Sequence, residues 1–501
     1  MKTKLFCSLL VLVALNAAFG APVSDPARSE RLANHFDLKH GAWMLREPAG
    51  KDARVTRVAQ ASLPAGSGGI LPPVSEPTSQ RAGPEAGAPP LQLTPELITQ
   101  FAEEMATNHP SLLAARARTN AAAANVKSVR TWEDPMATVG VMAAERMMRM
   151  EDGDIAYGVE QKLPLFGKPG AMRKMAAAEL SVEVAVEDLK FQTLRSDLAK
   201  ALFRAALADE MLVIAEQDLE WLAVTTKVVE EGYRSGTARL MDVLTLQNEQ
   251  SKRVEQLQTD RDNRAQALLV VNRFLNRELA APWPALQLPA LADEIRFSPS
   301  ILGYAIAQAP ELRKMREEFR MTEAAVNVAR KERWPEVSVG FENRVYARDN
   351  DLRSTDFMVG FNIPLGNSSK YRAAIRREEE KRRAVEFETR NMEQAVREEI
   401  HGLFVKISAA RREAVLYRDQ IIPRSEQALA SARAMFESGG LLRDVLDARR
   451  MLLEGKLMYA RAVAEQYEMI AELILCCGLG DLEALQMIGV GSDSQTETPK
   501  P

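Results

Sequence analysis

Two aspartates near the C-terminus stand at a spacing that brings their charges together. Asp444 and Asp447 follow the pair Gly439-Gly440, and side chains three residues apart on a helix share one face. Two carboxylates on one face attract cations and repel anions. As an alternative, both are ordinary acids in the first turn of a helix, where the helix dipole favours negative charge.

Sulfur-containing side chains offer a second kind of chemistry, because thioethers bind soft ions such as Cu(I) and Ag(I). The first half of the chain contains a cluster of methionines: Met136, Met142, Met147, Met148 and Met150. The alternative is that these methionines fill a packed wall or a loop surface. Adjacent cysteines rarely form a structural disulfide, so we interpret Cys476 and Cys477 as small apolar residues at a helix end. A thiol metal or redox site is the alternative there.

Motifs for catalysis are missing from the sequence. It has no Gly-x-x-x-x-Gly-Lys-Ser/Thr, His-Glu-x-x-His or Cys-x-x-Cys pattern, which are the spacings of phosphate loops, zinc peptidases and thiol sites. His109 and His401 are isolated, and no nucleophile stands with a base. The net charge of −4 argues against a general polyanion binder. We therefore predict that the protein is not an enzyme, needs no cofactor or bound metal, and binds no nucleic acid.

The two ends of the chain carry segments that we expect to lie outside the folded unit. Residues 1–20 combine Lys2 and Lys4 with an apolar run and small residues before Ala21, the pattern of a cleavable export signal. Residues 21–93 are rich in proline and glycine, which predicts an extended or disordered linker. Residues 484–501 are predicted to form a disordered tail.

The rest of the chain is one unit written twice, which we place at residues 94–297 and 298–483. Three motifs recur at an offset of 200 residues: 108–112 as 308–312, 135–140 as 335–340, and 163–165 as 363–365. A fourth motif, Asp-Val-Leu at 242–244, recurs at 444–446 with an offset of 202. Several anchors at nearly one offset indicate an internal duplication.

Each repeat has the same predicted elements in the same order: a helix, two strands and a very long helical hairpin. The predicted first helices are 94–131 and 299–332, and the predicted strands are 136–145, 155–163, 336–346 and 357–363. Between 191 and 233, apolar residues at alternating steps of three and four form a coiled-coil seam, with Thr226 as the exception. Pro423 interrupts the corresponding stretch of the second repeat, which predicts a local kink.

The four strands limit the architecture. Their lengths are near the roughly 9–11 residues that cross a bilayer when tilted, and only a closed barrel leaves no sheet edge in lipid. The smallest spanning barrels have about eight strands, so several chains would have to share one barrel, and three chains would supply twelve strands. The alternative is a small soluble sheet bridging coiled-coil arms, as in a soluble periplasmic adaptor or scaffold protein.

The duplicated unit, the strand pairs, the long hairpins and the glycine-turn–Asp-Val-Leu tips together resemble the TolC-like outer-membrane efflux family, over about residues 94–483. The resemblance implies a mainly α-helical fold with transmembrane β-strands. It implies a homotrimer whose 12-stranded β-barrel sits in outer-membrane lipid and continues as an α-helical periplasmic tunnel. The sequence Phe166-Gly167-Lys168 is similar to the heavy-metal branch of the family.

The same resemblance implies a function and partners. Such a protein is a passive exit duct in the outer membrane of a Gram-negative-type cell, extending into the periplasm. It exports small molecules or metal ions by docking to a periplasmic adaptor (membrane fusion) protein and an inner-membrane efflux pump. A pump of the resistance-nodulation-division type is one option.

Residue roles also follow from the resemblance. The segment 439–447 resembles the periplasmic entrance, where Asp444 and Asp447 would place six carboxylates around the mouth of a trimer. Arg443 is expected to pair with one of these carboxylates and bias the mouth closed, and Phe436 stands where the family often has tyrosine. The expected adaptor-binding tips comprise Gly232, Gly236, Asp242, Gly439 and Gly440. The second tip is one residue shorter between glycine and aspartate, which leaves the phase of its side chains open.

Overall fold

A computed structural model of the chain describes residues 90–129, 132–142, 154–346, 352–362 and 368–480. The chain divides into two units, residues 1–80 and 81–501, and all described residues belong to the second. The predicted export signal at 1–20, nearly all of the predicted linker at 21–93 and the predicted tail at 484–501 lie outside the described residues.

Helices dominate the described residues, and the two repeats contain them in matching order. The first repeat has α1 (Pro95–Asn108), α2 (Pro110–Ser128), α3 (Lys168–Arg234) and α4 (Leu240–Leu275). The second has α5 (Pro299–Gln308), α6 (Pro310–Lys331), α7 (Ser368–Leu416), α8 (Ile422–Glu437) and α9 (Leu442–Cys477). None of the described helices combines the length and the apolarity needed to cross a membrane.

The first predicted helix of each repeat is wrong in one respect, because the structure divides it at a proline. His109 and Ala309 lie outside the helical region, with ψ of 122° and 127°. Proline disfavours the helical conformation in the residue before it and lacks the N–H that would continue the ladder. Pro110 and Pro310 therefore begin new helices rather than sitting inside long ones.

Helix α3 is 67 residues long, or about 100 Å at 1.5 Å per residue. Most of the predicted seam is buried along it: Leu194, Leu198, Ala201, Ala205, Ala215, Leu222, Thr226 and Val229. The Thr226 hydroxyl is satisfied within the helix, since Oγ1 donates to the Leu222 carbonyl at 2.8 Å. The coiled-coil pattern therefore identified the buried face of the longest element correctly.

Helix α3 has different neighbours along its two halves. Its N-terminal half contacts α2 through Arg116–Glu187 and α6 through Arg313–Asp188. Its C-terminal half contacts α4 through Arg261–Glu216 and α9 through Arg449–Asp218. One helix thus ties together the first repeat and both halves of the second.

Near Pro423, where the sequence predicts a kink, the structure changes helix type. Residues Tyr417–Ile421 form a π-helical turn between α7 and α8, and Pro423 lies in the first turn of α8. The helical conformation continues through Leu416, Ile421 and Ile422, and the wider turn accommodates the missing N–H of Pro423. The second hairpin is therefore divided where the first is continuous.

The four predicted strands are β2 (Met136–Met142), β3 (Asp154–Leu163), β5 (Glu336–Tyr346) and β6 (Leu352–Asn362). They form one antiparallel sheet in the order β2-β3-β5-β6. The prediction for the last strand, 357–363, was wrong at its start, because β6 pairs with β5 from Leu352 onward. Residues 143–145 of the first predicted strand lie outside the described residues. A second, two-stranded parallel sheet joins β1 (Leu91–Gln92), in the last part of the predicted linker, to β4 (Leu286–Gln287).

The two faces of the four-stranded sheet differ in chemistry. Pairing places Val139, Tyr157, Val159, Phe341 and Phe357 on one face. The opposite face contains Thr138, Glu160, Ser338, Glu342 and Asp356. The apolar face is open, since Val139 is 77% and Phe357 80% exposed in one chain. β2 pairs only with β3 and β6 only with β5, so the outer edge of each has no partner among the described strands.

A buried charge cluster joins three of the long helices. Asp218 of α3 has a side chain only 2% exposed, and its carboxylate lies 2.7 Å from Arg253 Nε of α4 and 2.9 Å from Arg449 Nε of α9. The Arg449 guanidinium also lies 5.0 Å from the centre of the Trp221 ring. A buried carboxylate with two cationic partners couples the first hairpin to the second.

We expect Asp218→Asn to destabilise the protein by about 3 kcal/mol, because removing one member of a buried ion pair leaves desolvated charge without compensation. The matched control is Glu216→Gln two residues earlier, whose pair with Arg261 is about half exposed and worth at most about 1 kcal/mol. Thermal unfolding followed by circular dichroism measures both. Equal shifts of the two midpoints would contradict the structural importance of the buried pair.

Candidate functional site

The tips of the two hairpins lie side by side and share a hydrophobic cluster. We use "tip pair" for the α3–α4 turn, the α8–α9 turn and the adjoining helical turns. Val243 and Leu246 of α4 pack with Leu442 and Leu446 of α9. Phe436 is half-buried against this cluster. The structure therefore brings together most of the residues that the sequence singled out in both repeats.

Both turns close with the same hydrogen bonds. In the first, Thr237 N donates to Gly232 O at 2.8 Å and Gly236 N donates to Tyr233 O at 3.0 Å. In the second, Gly440 N donates to Met435 O at 2.8 Å and Gly439 N donates to Phe436 O at 3.0 Å. This is the Schellman motif, in which the first residue after the helix is left-handed. Gly236 and Gly439 supply that conformation, with φ of 81° and 101°.

The missing residue of the second tip does not shift its aspartate. Helix α4 begins at Leu240, four residues after Gly236, whereas α9 begins at Leu442, three residues after Gly439. Asp242 and Asp444 are each the third residue of their helix. The deletion is absorbed in the extended residues before the helix, so the two aspartates occupy equivalent positions.

The two carboxylates of the second tip have different surroundings. Asp444 is exposed in the first turn of α9. Asp447 lies between two arginines of its own helix, 3.5 Å from Arg443 Nε and 3.3 Å from Arg450 Nη1. Arg443 is thus beside a tip carboxylate, as expected, but the pair lies within one helix and does not connect the hairpins. Arginine partners also reduce the repulsion that Asp447 would exert on other carboxylates.

A further ion pair connects the hairpins close to the tips, and the sequence analysis missed it. Arg450 Nη2 of α9 lies 2.8 Å from Glu249 Oε1 of α4, and Lys252 Nζ lies 3.4 Å from the same atom. Burial raises the pKa of Glu249, but the hydrogen bond and charge of Arg450, aided by Lys252, lower the pKa below its usual value. These residues are 201 positions apart, and no local pattern pairs them.

The sulfur candidates are only partly described. Of the five clustered methionines, Met147, Met148 and Met150 lie outside the described residues, as does the side chain of Met142. Met136 lies on the polar face of the sheet, in register with Glu160. No group of His, Cys, Asp and Glu side chains in the described ranges is arranged to hold a metal ion. The Cys477 thiol is fully buried, and burial raises its pKa to about 12, which keeps it protonated and weakens it as a metal ligand.

Comparison with known proteins also indicates two repeats, because one family model matches the chain in two segments. The model of the family described as outer membrane efflux protein matches residues 102–277 and 301–478. A curated relative, the cobalt-zinc-cadmium resistance protein CzcC of Cupriavidus metallidurans, is 25% identical over 182 residues. That alignment covers 34% of this chain and 41% of CzcC, so less than half of the relative's length is matched.

Two solved structures have a similar fold. A membrane protein from Pseudomonas aeruginosa matches with a TM-score of 0.68 at 18% identity, over 76% of this chain and 92% of its own. A structure of CusC, solved to follow folding and transmembrane channel formation, matches with a TM-score of 0.68 at 16% identity, over 77% and 92%. At these identities the similarity establishes the fold.

We expect Gly440→Ala to disrupt the second tip, since a Cβ there would stand 2.8 Å from the Met435 carbonyl oxygen. The control is Gly402→Ala inside α7, where a Cβ meets nothing within 4 Å and alanine favours the helix by up to about 1 kcal/mol. Limited proteolysis should cut the Gly440→Ala tip faster and leave Gly402→Ala at the wild-type rate. An unchanged rate for both would contradict the close packing of this turn.

We expect the link between α4 and α9 to weaken only in acid. A carboxyl whose folded pKa is lowered stabilises the structure above its unfolded value of about 4.3, and this contribution is lost as the pH falls through the folded pKa. Spin labels at the exposed positions Val254 and Met451 should keep one narrow distance distribution at pH 5–7 and broaden below about pH 4. Glu249→Gln should broaden it at every pH. A variant that keeps the wild-type pH profile would show that this pair does not hold the tips.

Proposed function

Because the chain belongs to the outer membrane efflux protein family, we propose that it is a passive exit duct, a homotrimer that spans the outer membrane and extends into the periplasm. In this proposal the duct works with a periplasmic adaptor and an inner-membrane efflux pump. The duct itself supplies a path, and the pump supplies the energy.

One observation carries the proposal: a four-stranded sheet with an open apolar face, a polar opposite face and two unpartnered edges. An apolar face of this kind suits lipid, but an edge in lipid leaves backbone groups without hydrogen bonds. Four strands are too few to enclose a lumen. Pairing of β2 in one copy with β6 in the next would remove every edge, and three copies would form a barrel of twelve strands.

The polar face then lines the lumen of the barrel. Arg344 lies 3.1 Å from Glu342 and 3.9 Å from Asp356 on this face. The charge of this arginine is therefore compensated by carboxylates of the same sheet. Below the sheet, α3 and α7 carry the path away from the membrane. A lumen of polar and paired groups allows polar solutes to pass without holding one of them strongly.

The tip pair lies at the other end of these helices and serves as the periplasmic entrance. Asp444, exposed in each of three copies, gives the mouth three carboxylates that attract cations. Asp447 contributes less, because Arg443 and Arg450 already pair with it. The Gly232–Gly236 and Gly439-Gly440 turns, with Asp242, present the surface on which the adaptor docks, and Phe436 packs the entrance from within.

The exported substrate is proposed from the relative. CzcC is by its name a cobalt, zinc and cadmium resistance protein, so divalent metal ions are the substrates we favour over organic molecules. Selectivity rests mainly with the pump, for which the resistance-nodulation-division type remains one option. The alternative function, a soluble periplasmic adaptor or scaffold, is not favoured, because it leaves the apolar face of the sheet in water.

We expect Val359→Arg to prevent assembly in the outer membrane, whereas Met358→Arg next to it should be tolerated. Val359 pairs with Val339 on the apolar face and Met358 with Gly340 on the polar face. An arginine facing lipid near the bilayer midplane costs about 2–4 kcal/mol per copy. Cell fractionation and a gel for heat-modifiable oligomers measure the result.

Both substitutions add one positive charge at neighbouring positions of the same strand, and they alter opposite faces of the sheet. A deletion strain that carries Met358→Arg should also recover the wild-type tolerance of cobalt, zinc and cadmium, whereas Val359→Arg should not. If both variants assemble equally, or if the wild-type protein is a water-soluble monomer, the duct proposal is wrong. Unchanged metal tolerance in the deletion strain would remove the metal substrate alone.

A further inference from the structure

Four exposed aromatic and apolar side chains lie at the end of the sheet where the strands connect to the helices. Trp132 precedes β2, Leu165 and Phe166 follow β3, and Trp334 precedes β5. Each of the four is between 43% and 54% exposed. We call this set the junction belt. Tryptophan is enriched at membrane–water interfaces because its ring is apolar and its N–H is polar.

Phe166 in the belt has an unfavourable backbone conformation. This residue has φ of 60°, in the left-handed region that non-glycine residues seldom adopt. Its ring stacks on Trp334 from the other repeat, with centroids 5.4 Å apart and planes at 10°. A strained residue persists only where its surroundings fix it, and here the strain places an apolar ring at the surface.

Basic side chains accompany the belt. Lys162, Lys168 and Lys331 line one pocket together with Phe166 and Trp334. Lys331 Nζ lies 3.9 Å from the point where a Cβ of Gly167 would stand, so its ammonium is beside the Phe166 turn. Arg333 follows, and its guanidinium carbon lies 5.7 Å from the Trp334 ring centre.

Lys162 and Lys168 are neutralised by ion pairs, whereas Lys331 and Arg333 have no such pair among the described residues. Lys162 pairs with Glu133 at 2.9 Å and Lys168 pairs with Glu336 at 2.5 Å. Among the described residues, Lys331 and Arg333 have no carboxylate within ion-pair distance. The belt therefore has positive charge that the described part of the chain does not compensate.

The two helices that begin near the belt add further basic residues at their N-termini, although the helix dipole favours acidic residues there. Helices α3 and α7 begin here, and neither has an acidic residue in its first turn. The first acids are Glu179 and Glu378. Of the basic residues before them, Lys168 pairs with Glu336 and Arg377 with Glu378. The others form no ion pair among the described residues: Arg173, Lys174, Lys370, Arg372 and Arg376. The positive end of the helix dipole favours acids at this place. The same unfavourable choice in both repeats calls for an anionic partner outside the protein.

We propose that the junction belt binds the headgroups of anionic phospholipids in the membrane leaflet that faces the periplasm. This inference rests on the proposed function, which puts the helix end of the strands at that leaflet. Lys331 and Arg333 engage the phosphate, while Trp132, Phe166 and Trp334 lie at the level of the headgroups. A free phosphate ion would use the charges only and would leave the aromatic rings without a role.

The test uses the full-length trimer in phosphatidylcholine vesicles that contain a trace of spin-labelled phosphatidylglycerol or spin-labelled phosphatidylcholine. The fraction of motionally restricted label gives the relative affinity for the two lipids. Because one basic residue near an anionic surface is worth about fivefold in affinity, we expect the wild-type trimer to prefer phosphatidylglycerol at least about fivefold. The preference should fall as salt rises, since exposed charges are screened.

The double variant Lys331→Gln with Arg333→Gln should reduce the preference to within about twofold of unity. The matched control, Lys227→Gln with Arg424→Gln, removes the same charge from exposed positions on α3 and α8 and should keep the wild-type preference. Conductance in pure phosphatidylcholine should be the same for all three proteins.

Three results would overturn the inference: no preference in the wild-type trimer, an equal loss in the control variant, or a preference that inorganic phosphate removes while sodium chloride of equal ionic strength does not. In each of these cases conducting trimers leave the proposed function intact. Failure of the wild-type protein to form conducting trimers would instead refute the proposed function and, with it, the lipid site.

Discussion

The hydrogen-bonding requirement of the sheet edges is the constraint on which the rest of this structure depends. The four-stranded sheet has an apolar face that suits lipid, but β2 and β6 present backbone groups that lipid cannot satisfy. One chain cannot resolve this conflict, because four strands cannot close with a lumen. The strands therefore make association of several copies a condition for the proposed membrane-bound state.

Duplication supplies the remaining architecture, and the two repeats differ in their long hairpins and in the charges at their tips. The first hairpin is built on one continuous helix, α3, whereas the second is interrupted by the π-helical turn at Tyr417–Ile421. The tips keep the same Schellman turn although one residue is missing from the second. Conserved hydrogen bonding with altered charge gives two similar ends, of which only the second has the Asp444 and Asp447 pair.

The pairing of charged residues differs along the long helices. Near the strands, Lys331 and Arg333 have no carboxylate partner among the described residues, and we propose an anionic lipid surface there. In the part of α3 nearer the tips, buried Asp218 pairs with Arg253 and Arg449 and joins both repeats. At the tips, Arg450 links Glu249 to Asp447 near the surface, where ion pairs contribute less to stability than a buried pair does.

The sequence alone determined the duplication, the order of elements, the seam of α3, the sheet strands and the effect of Pro423. These features depend on periodicity and on proline and glycine, which act on their immediate neighbours in the chain. It did not divide the first helices at Pro110 and Pro310, because a proline is compatible both with a kink and with a new helix. Only the tertiary structure decided that Asp242 and Asp444 are equivalent, that Arg450 reaches Glu249, and that Phe166 stacks on Trp334. These contacts join residues far apart in the chain, and no local spacing encodes which distant side chains will meet.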